Sequence, residues 1–359
     1  MKLKILIALL FVAVLPHYGS QLLAQRGLGA GIIPVAIYGD DDRFEASYQA
    51  DARIRAMAAS TVALFKDPAL VLNKEKGVFA IKAETLEKHQ HMAKGQRFIE
   101  QPAVAFCSGA LIGDDIILTA GHCVPASAED PIYKHIKIAF GYAVSITGSN
   151  PTELPQKEVY SCRKVLKYAT NPRGKDYKDY AVIQLDRKVA GHTPLAINRN
   201  QKLIKDTPLF IIGYPTGLPV KVAGNAKIRN IPPNAPYFVT DLDAFGGNSG
   251  SPVFNARTYM IEGILVRGDW GDYYPYASGS VVTIYGQEQG HGNHVTKIQE
   301  IQDVAPVNEF ERFLQAEQKQ QTGGSRVKAA PVIYMPGSQP GIQPAIYLPD
   351  PAAPQPVRI

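Results

Sequence analysis

The chain has 359 residues, 45% of them hydrophobic and 19% charged, with 38 Lys and Arg against 32 Asp and Glu. That is the composition of a globular protein, not of a disordered or collagen-like chain. The net charge of +6 is spread along the sequence, with no Lys/Arg run and no interleaved aromatics, which argues against a nucleic-acid partner.

The amino terminus reads Met1-Lys2-Leu3-Lys4 and is then almost wholly apolar over residues 5–15. A charged start with a short apolar run is the pattern of a secretory signal peptide, too short to span a bilayer stably. Removal is expected between Ser20 and Gln25, so residues 1–24 read as the signal peptide. No later stretch is long and apolar enough for a membrane helix. The expected product is secreted or periplasmic, without stable membrane insertion.

Residues 25–59 read as an N-terminal arm or propeptide. Its acidic run Asp40-Asp41-Asp42 lacks the spacing of a calcium loop and reads as solvated charge. The alanine-rich stretch 50–59 predicts a short helix. A first strand is expected over 60–65, where β-branched and apolar residues run together. His89 and His91 have the spacing of a metal pair but no third ligand nearby, so no metal site is predicted.

Strands are expected over 103–107 and 110–112, then after a turn at Gly113-Asp114-Asp115 over 116–119. Further strands are expected over 136–140, 159–168, 181–185, 208–215, 238–240, 252–254 and 261–266. Short strands separated by turn signals indicate an all-β barrel or sandwich. Residues 306–315 carry Phe310, Phe313 and Leu314 on one helical face and predict a C-terminal helix. From 316 to 359 the composition turns proline-rich, and Pro-x-Ile-Tyr-x-Pro occurs twice, at 331–336 and 344–349. Such a tail is expected to be disordered, with the repeated motif a candidate for binding an unknown partner.

Three short motifs carry chemistry. Thr119-Ala120-Gly121-His122-Cys123 ends a strand with a histidine. Asp179-Tyr180-Ala181-Val182-Ile183 opens a strand with an aspartate. Gly246-Gly247-Asn248-Ser249-Gly250-Ser251-Pro252 sets a serine among glycines, which fold tightly and leave amide N–H groups bare. An α/β-hydrolase reading, with Ser249 followed by Asp269 or Asp272 and then His291 or His294, has the right residue order. It fails on Ser251, which breaks Gly-x-Ser-x-Gly, and on Pro252, which would sit inside the helix that reading needs.

In these three motifs, taken in this order, the chain resembles the chymotrypsin-fold serine peptidases. It is most similar to the bacterial group with Gly-Asn-Ser-Gly-Ser-Pro around the nucleophile, which includes the glutamyl endopeptidases. The resemblance runs from about residue 60 to about residue 314. It implies two antiparallel six-stranded β-barrels, about 60–200 and 201–315, with the site in the cleft between them. It also implies an endopeptidase acting on protein or peptide substrates, in which His122 is general base, Asp179 holds the imidazole, and Ser249 is nucleophile. The N–H groups of Gly247 and Ser249 would form the oxyanion hole, and no cofactor is required. A monomer is expected. The family pairs cysteines at the places of Cys107 and Cys123, which leaves Cys162 as a buried thiol.

Specificity follows from the same resemblance. Asp243, six residues before Ser249, stands where trypsin-like members carry the base of the pocket for the P1 side chain, the residue on the acyl side of the cut bond. A carboxylate there would favour Lys or Arg; the alternative is an Asp243 turned away and hydrogen-bonded structurally. Gly268 matches the open wall of that pocket, and Val266 to Gly268 would pair with the substrate backbone as an added strand. The histidine that reads glutamate in glutamyl endopeptidases has no counterpart in Gly263-Ile264-Leu265-Val266, so glutamyl specificity is the second reading. Asn248 stands where animal members have an aspartate that pairs with a freed α-amino group, so no such pair is expected.

Overall fold

Two rolled antiparallel sheets carry the fold, and each is apolar on the face it curls around. The computed structural model describes residues 37–127, 130, 135–170, 177–199, 202–268, 272–301, 303, 307, 311 and 312. The expected signal peptide, the first part of the arm and the proline-rich tail lie outside these residues. So does most of the expected C-terminal helix, of which Glu311 and Arg312 are described and helical.

The arm is not a separate appendage from Ile37 onward. Its strands β1 (Ile37–Tyr38) and β2 (Arg43–Glu45) are followed by the helix α1 (Ala52–Ala59), capped by the Asp51 carboxylate accepting from Arg53 N. β1 pairs in parallel with Ile284–Tyr285. Arg43 is 1% exposed and makes a two-nitrogen bond to Asp41, at 2.8 and 2.7 Å. The acidic run is therefore partly consumed by ion pairing rather than left to solvent.

The first lobe contains β3 (Thr61–Lys66), β4 (Cys107–Gly113), β5 (Ile116–Thr119), β6 (Ile136–Ala139), β7 (Val159–Tyr160), β8 (Cys162–Thr170) and β9 (Asp179–Leu185). Its order is β7-β6-β3-β4-β5-β9-β8. The edge strands β7 and β8 are separated in sequence only by Ser161, so the sheet curls until its edges meet. Of the expected strand over 103–107, Ala103 belongs to a two-residue strand with Pro102 that pairs with Glu84–Thr85, and β4 begins at Cys107. The amides of Val104 and Ala105 instead turn to the Gly217 carbonyl.

The second lobe contains β10 (Pro208–Gly213), β11 (Lys221–Asn230), β12 (Tyr237–Thr240), β13 (Pro252–Asn255), β14 (Ile261–Arg267) and β15 (Asn293–Lys297). They run β10-β13-β14-β15-β12-β11, and β10 also pairs with β11, which closes a six-stranded barrel. β2 adds to β11 at its edge, through Arg43, Phe44 and Glu45 opposite Ala223, Val222 and Lys221. The architecture is thus the expected all-β double barrel of chymotrypsin type, with one barrel closed and the other rolled.

The unbroken apolar run at 208–213 has a physical reason. Side chains alternate along a strand. Leu209 and Ile211 fill the second barrel, whereas Phe210 and Ile212 point into the cluster shared with the first lobe. β14 divides in the same way, with Leu265 inside the barrel and Ile264 and Val266 toward the first lobe. Both strands are therefore buried on two faces, and the lobes share one continuous apolar layer beneath the cleft.

Candidate active site

β5 ends in a single 3-10 turn, Gly121–Cys123, that carries His122. β9 is the antiparallel neighbour of β5 and begins at Asp179, with Ala181 opposite Thr119. This register sets the aspartate under the turn. Asp179 Oδ1 accepts from His122 N at 3.0 Å and its Oδ2 from His122 Nδ1 at 2.7 Å. Gly121 permits the approach, since a Cβ there would lie 3.0 Å from Asp179 Oδ1 and collide with the Ala169 carbonyl. The aspartate side chain is 2% exposed and the histidine 36%, so one is a buried anchor and the other faces the cleft. With Nδ1 committed to the carboxylate, Nε2 is the nitrogen left to take a proton.

The Cys107–Cys123 disulfide forms as expected, with Cα atoms 6.1 Å apart. It ties the histidine turn to the start of β4. The Cys123 sulfur lies 3.6 Å from the Ser249 carbonyl oxygen, a contact and not a hydrogen bond because a half-cystine carries no proton. The histidine turn and the serine loop are therefore neighbours.

The loop from Gly246 to Gly250 has all of its first four carbonyl oxygens occupied. Gly246 O accepts from Thr216 N, Gly247 O from Ser108 Oγ, Asn248 O from Ser251 N and Ser249 O from Ser108 N. Three of its amides are also taken: Gly246 N by Asp272, Asn248 N by Phe245 O and Gly250 N by Leu265 O. Among the described residues, the N–H groups of Gly247 and Ser249 have no acceptor. A peptide unit points its C=O and N–H in opposite directions. Anchoring the Gly246 carbonyl at Thr216 therefore turns the Gly247 N–H away from Thr216. Gly247 sits at φ +90° and Gly250 at φ +85°, in the left-handed region that favours glycine.

Asn248 keeps to its own loop. Its Oδ1 accepts from Phe245 N at 3.1 Å, and its Nδ2 lies 3.3 Å from Ser251 Oγ. Neither of these two partners is charged.

Asp243 is a correction. It is 3% exposed, with Oδ1 accepting from Tyr38 N at 2.9 Å and Oδ2 from Asp42 N at 2.8 Å. Both oxygens hold the arm, and neither is presented to a substrate. Burial pushes its carboxyl well above the usual range, with neighbouring Asp41 adding to the rise. The base of a basic-residue pocket is therefore absent from this position. Asp272 takes a different role from the one a hydrolase would give it: it bonds Gly246 N at 2.6 Å, and burial raises its carboxyl to about 6. His294 stacks on Tyr237, with ring centroids 4.3 Å apart. Asp269 lies outside the described residues.

Val266 and Gly268 stand at the end of β14, where the chain leaves the barrel. Gly268 faces Asn293, whose Oδ1 would lie 2.5 Å from a Cβ at residue 268. Ser108 and Asn293 were not singled out from the sequence, and the role of Asp272 was not read there, because each acts through a partner more than twenty residues away. No local pattern marks such residues.

Residues 107–261 match the trypsin-like peptidase domain family. The matched span opens at Cys107 and contains His122, Asp179 and Ser249. The chain is also 28% identical over 170 residues to glutamyl endopeptidases of Staphylococcus aureus. The match to the MRSA252 protein covers 45% of this chain and 43% of that one, and the match to the MW2 protein covers 45% and 47%. The aligned region thus spans under half the length of these relatives. Among solved structures, a Glu endopeptidase in complex with MPD is similar at 18% identity and TM-score 0.43, covering 79% of this chain and 100% of that one. The Vibrio cholerae VesB protease is similar at 16% and 0.42, covering 68% and 62%. The matched region brings together a buried Asp–His pair and a loop in which, among the described residues, two amides have no acceptor. That combination can activate a hydroxyl and stabilise an oxyanion.

Proposed function

We propose that this chain is an exported serine endopeptidase that cuts peptide bonds through His122, Asp179 and Ser249. The observation that carries the reading is the 2.7 Å bond from His122 Nδ1 to a buried carboxylate, beside a loop whose only open amides are those of Gly247 and Ser249 among the described residues. In this reading Ser249 Oγ attacks the scissile carbonyl while His122 Nε2 takes its proton. The carbonyl oxygen becomes an oxyanion and moves onto the Gly247 and Ser249 N–H groups. His122 then protonates the departing amine, leaving an acyl group on Ser249, and water repeats the sequence to release the acid. Asp179 keeps the imidazole in the tautomer that makes Nε2 the base and stabilises the imidazolium.

The charged and apolar amino-terminal run supports export, and no described helix is long and apolar enough to cross a membrane. The preference for Lys or Arg at P1 loses its support with the sequestration of Asp243. Labelling by a fluorophosphonate serine probe tests the assignment, alongside peptide-library cleavage by the wild type and by Ser249→Ala. Labelling and cleavage that both vanish in the variant are expected. Cleavage that survives Ser249→Ala, or His122→Ala, would sink it.

A further inference from the structure

The cleft beside Ser249 has two walls that part from one contact. Gly250 N bonds Leu265 O at 2.7 Å, and Leu265 N bonds Ser251 O at 3.0 Å. From there residues 266–268 run along one side, and the segment from Ser249 back to Leu242 runs along the other. One side chain joins the two walls. Asn293, the first residue of β15, donates from Nδ2 to Leu242 O at 2.6 Å, and its Oδ1 faces Gly268. Asn293 is 0% exposed, and among the described residues its Oδ1 has no hydrogen-bond partner.

A buried amide oxygen without a partner costs free energy, and native proteins keep few of them. This one lies where the side chain of residue 268 would stand, and residue 268 is a glycine. Glycine at 268 is thus what leaves room for the Asn293 amide, and no side chain of residue 268 covers its unpaired acceptor.

We propose that Asn293 sets the specificity of the cleft, its Oδ1 accepting a hydrogen bond from a neutral donor on the P1 side chain, with glutamine the best fit. The inference rests on the peptidase reading above. Three chemical facts select a neutral donor. A carboxylate at P1 would face the lone pairs of Oδ1. An ammonium or guanidinium would be buried against a neutral oxygen, with both oxygens of the nearby Asp243 already held by Tyr38 N and Asp42 N. An aliphatic side chain would leave Oδ1 unpaired, as it is without substrate, and gain nothing from it. Glutamine carries its N–H on a flexible chain long enough to reach past Gly268.

The test uses one peptide frame with Gln, Met, Glu or Lys at P1. Met matches Gln in length without the donor, and Glu exchanges the donor for an acceptor. Wild-type protein is expected to cleave the Gln peptide with kcat/KM at least ~10²-fold above the Met and Glu peptides, since a site built around a hydrogen bond rejects an analogue lacking it. Asn293→Leu is expected to erase the Gln-over-Met difference. Binding of the same peptides to Ser249→Ala gives a second readout independent of turnover. There Gln is expected to bind at least ~10-fold tighter than Met, and Asn293→Leu in that background to remove the difference. If Asn293→Leu fails to fold, the wild-type and Ser249→Ala series decide alone. Equal handling of Gln and Met, or a preference for Glu or Lys, overturns the proposal. Absent cleavage with Gln-selective binding would overturn the peptidase reading and leave the assignment of Asn293 standing.

Discussion

Ser108 offers the sharpest test of how the catalytic loop is held. It lies on β4 in the first lobe and is 0% exposed. Its Oγ donates to Gly247 O at 2.8 Å and accepts from Tyr214 N at 3.1 Å, both in the second lobe. Ser108→Ala keeps the backbone bond from residue 108 to Ser249 O and removes only the bridge. Two backbone groups, the buried Tyr214 N and the part-buried Gly247 O, then lose their partner. Each orphaned group costs about 1–3 kcal/mol, and partial relaxation brings the pair to about 2–4 kcal/mol. Urea unfolding followed by tryptophan fluorescence or circular dichroism should show that loss as a lower midpoint at unchanged slope. On the proposed role of Gly247 as an oxyanion donor, the kinetic effect should fall on kcat and not on ground-state binding. Removal of one oxyanion donor costs ~10²–10³ in kcat, so a donor merely loosened should cost ~10–10² with KM little changed. A variant within ~0.5 kcal/mol of wild type and within about twofold in kcat would refute the bridge.

Asp179→Asn keeps the shape of the buried anchor but favours the wrong imidazole tautomer, and should lower kcat by ~10⁴ while leaving probe-site folding intact by circular dichroism. Replacing both Cys107 and Cys123 by Ala opens a loop closed over a separation of 16 residues, and should cost about 3 kcal/mol in urea unfolding; no change in midpoint would contradict the bridge. Asp42 and Asp272 are both raised by burial from 3.8 to about 6. An acid whose folded value is raised favours folding below its unfolded value and loses that contribution as pH rises through the folded one, so stability should fall between about pH 4 and 6. The full shift would be worth about 3 kcal/mol per group, but both remain partly in contact with water, which reduces it to about 1 kcal/mol each. The double variant Asp42→Asn with Asp272→Asn should therefore lose about 2 kcal/mol of the wild-type fall across that window, measured as urea midpoints at pH 4 and pH 7. An unchanged fall would exclude these two carboxyls as its source.

The residues of the proposed triad stand out in the sequence because their surroundings are local. His122 follows a β-branched strand and precedes a half-cystine, Asp179 opens a strand, and Ser249 is wrapped in glycines. Strands buried on two faces, such as Pro208–Gly213, were legible as apolar runs. Lys221–Asn230 was not, because its small and polar residues and its register shifts against both neighbours blur the period of two. Asn293–Lys297 escaped for a similar reason: its inward residues are few and separated by His294. The role of Asp243 was unreadable, because it is decided by amides of Tyr38 and Asp42 more than two hundred positions away. The same distance made the arm look separable, although Ile37–Tyr38 pairs with Ile284–Tyr285 and Arg43–Glu45 adds to the edge of the second sheet.

These contacts also explain how the serine loop keeps its shape without an ion pair to a free α-amino group. The segment 242–251 is held by backbone and side-chain bonds at nearly every residue: Asn293 at Leu242, the arm at Asp243, Asn248 at Phe245, Asp272 and Thr216 at Gly246, and Ser108 at Gly247 and Ser249. None of these is a salt bridge. An α-amino group titrates near 8, so a loop fixed by one would loosen at alkaline pH. A loop fixed by amides, hydroxyls and carboxylates that only accept does not. The carbonyls are the fixed part of this loop and two amides the open part, and that polarity favours an oxyanion over a neutral carbonyl oxygen before any substrate arrives. The arm contributes to this from behind, through Asp243, so its place in the sheet and the readiness of the serine loop are one structural fact.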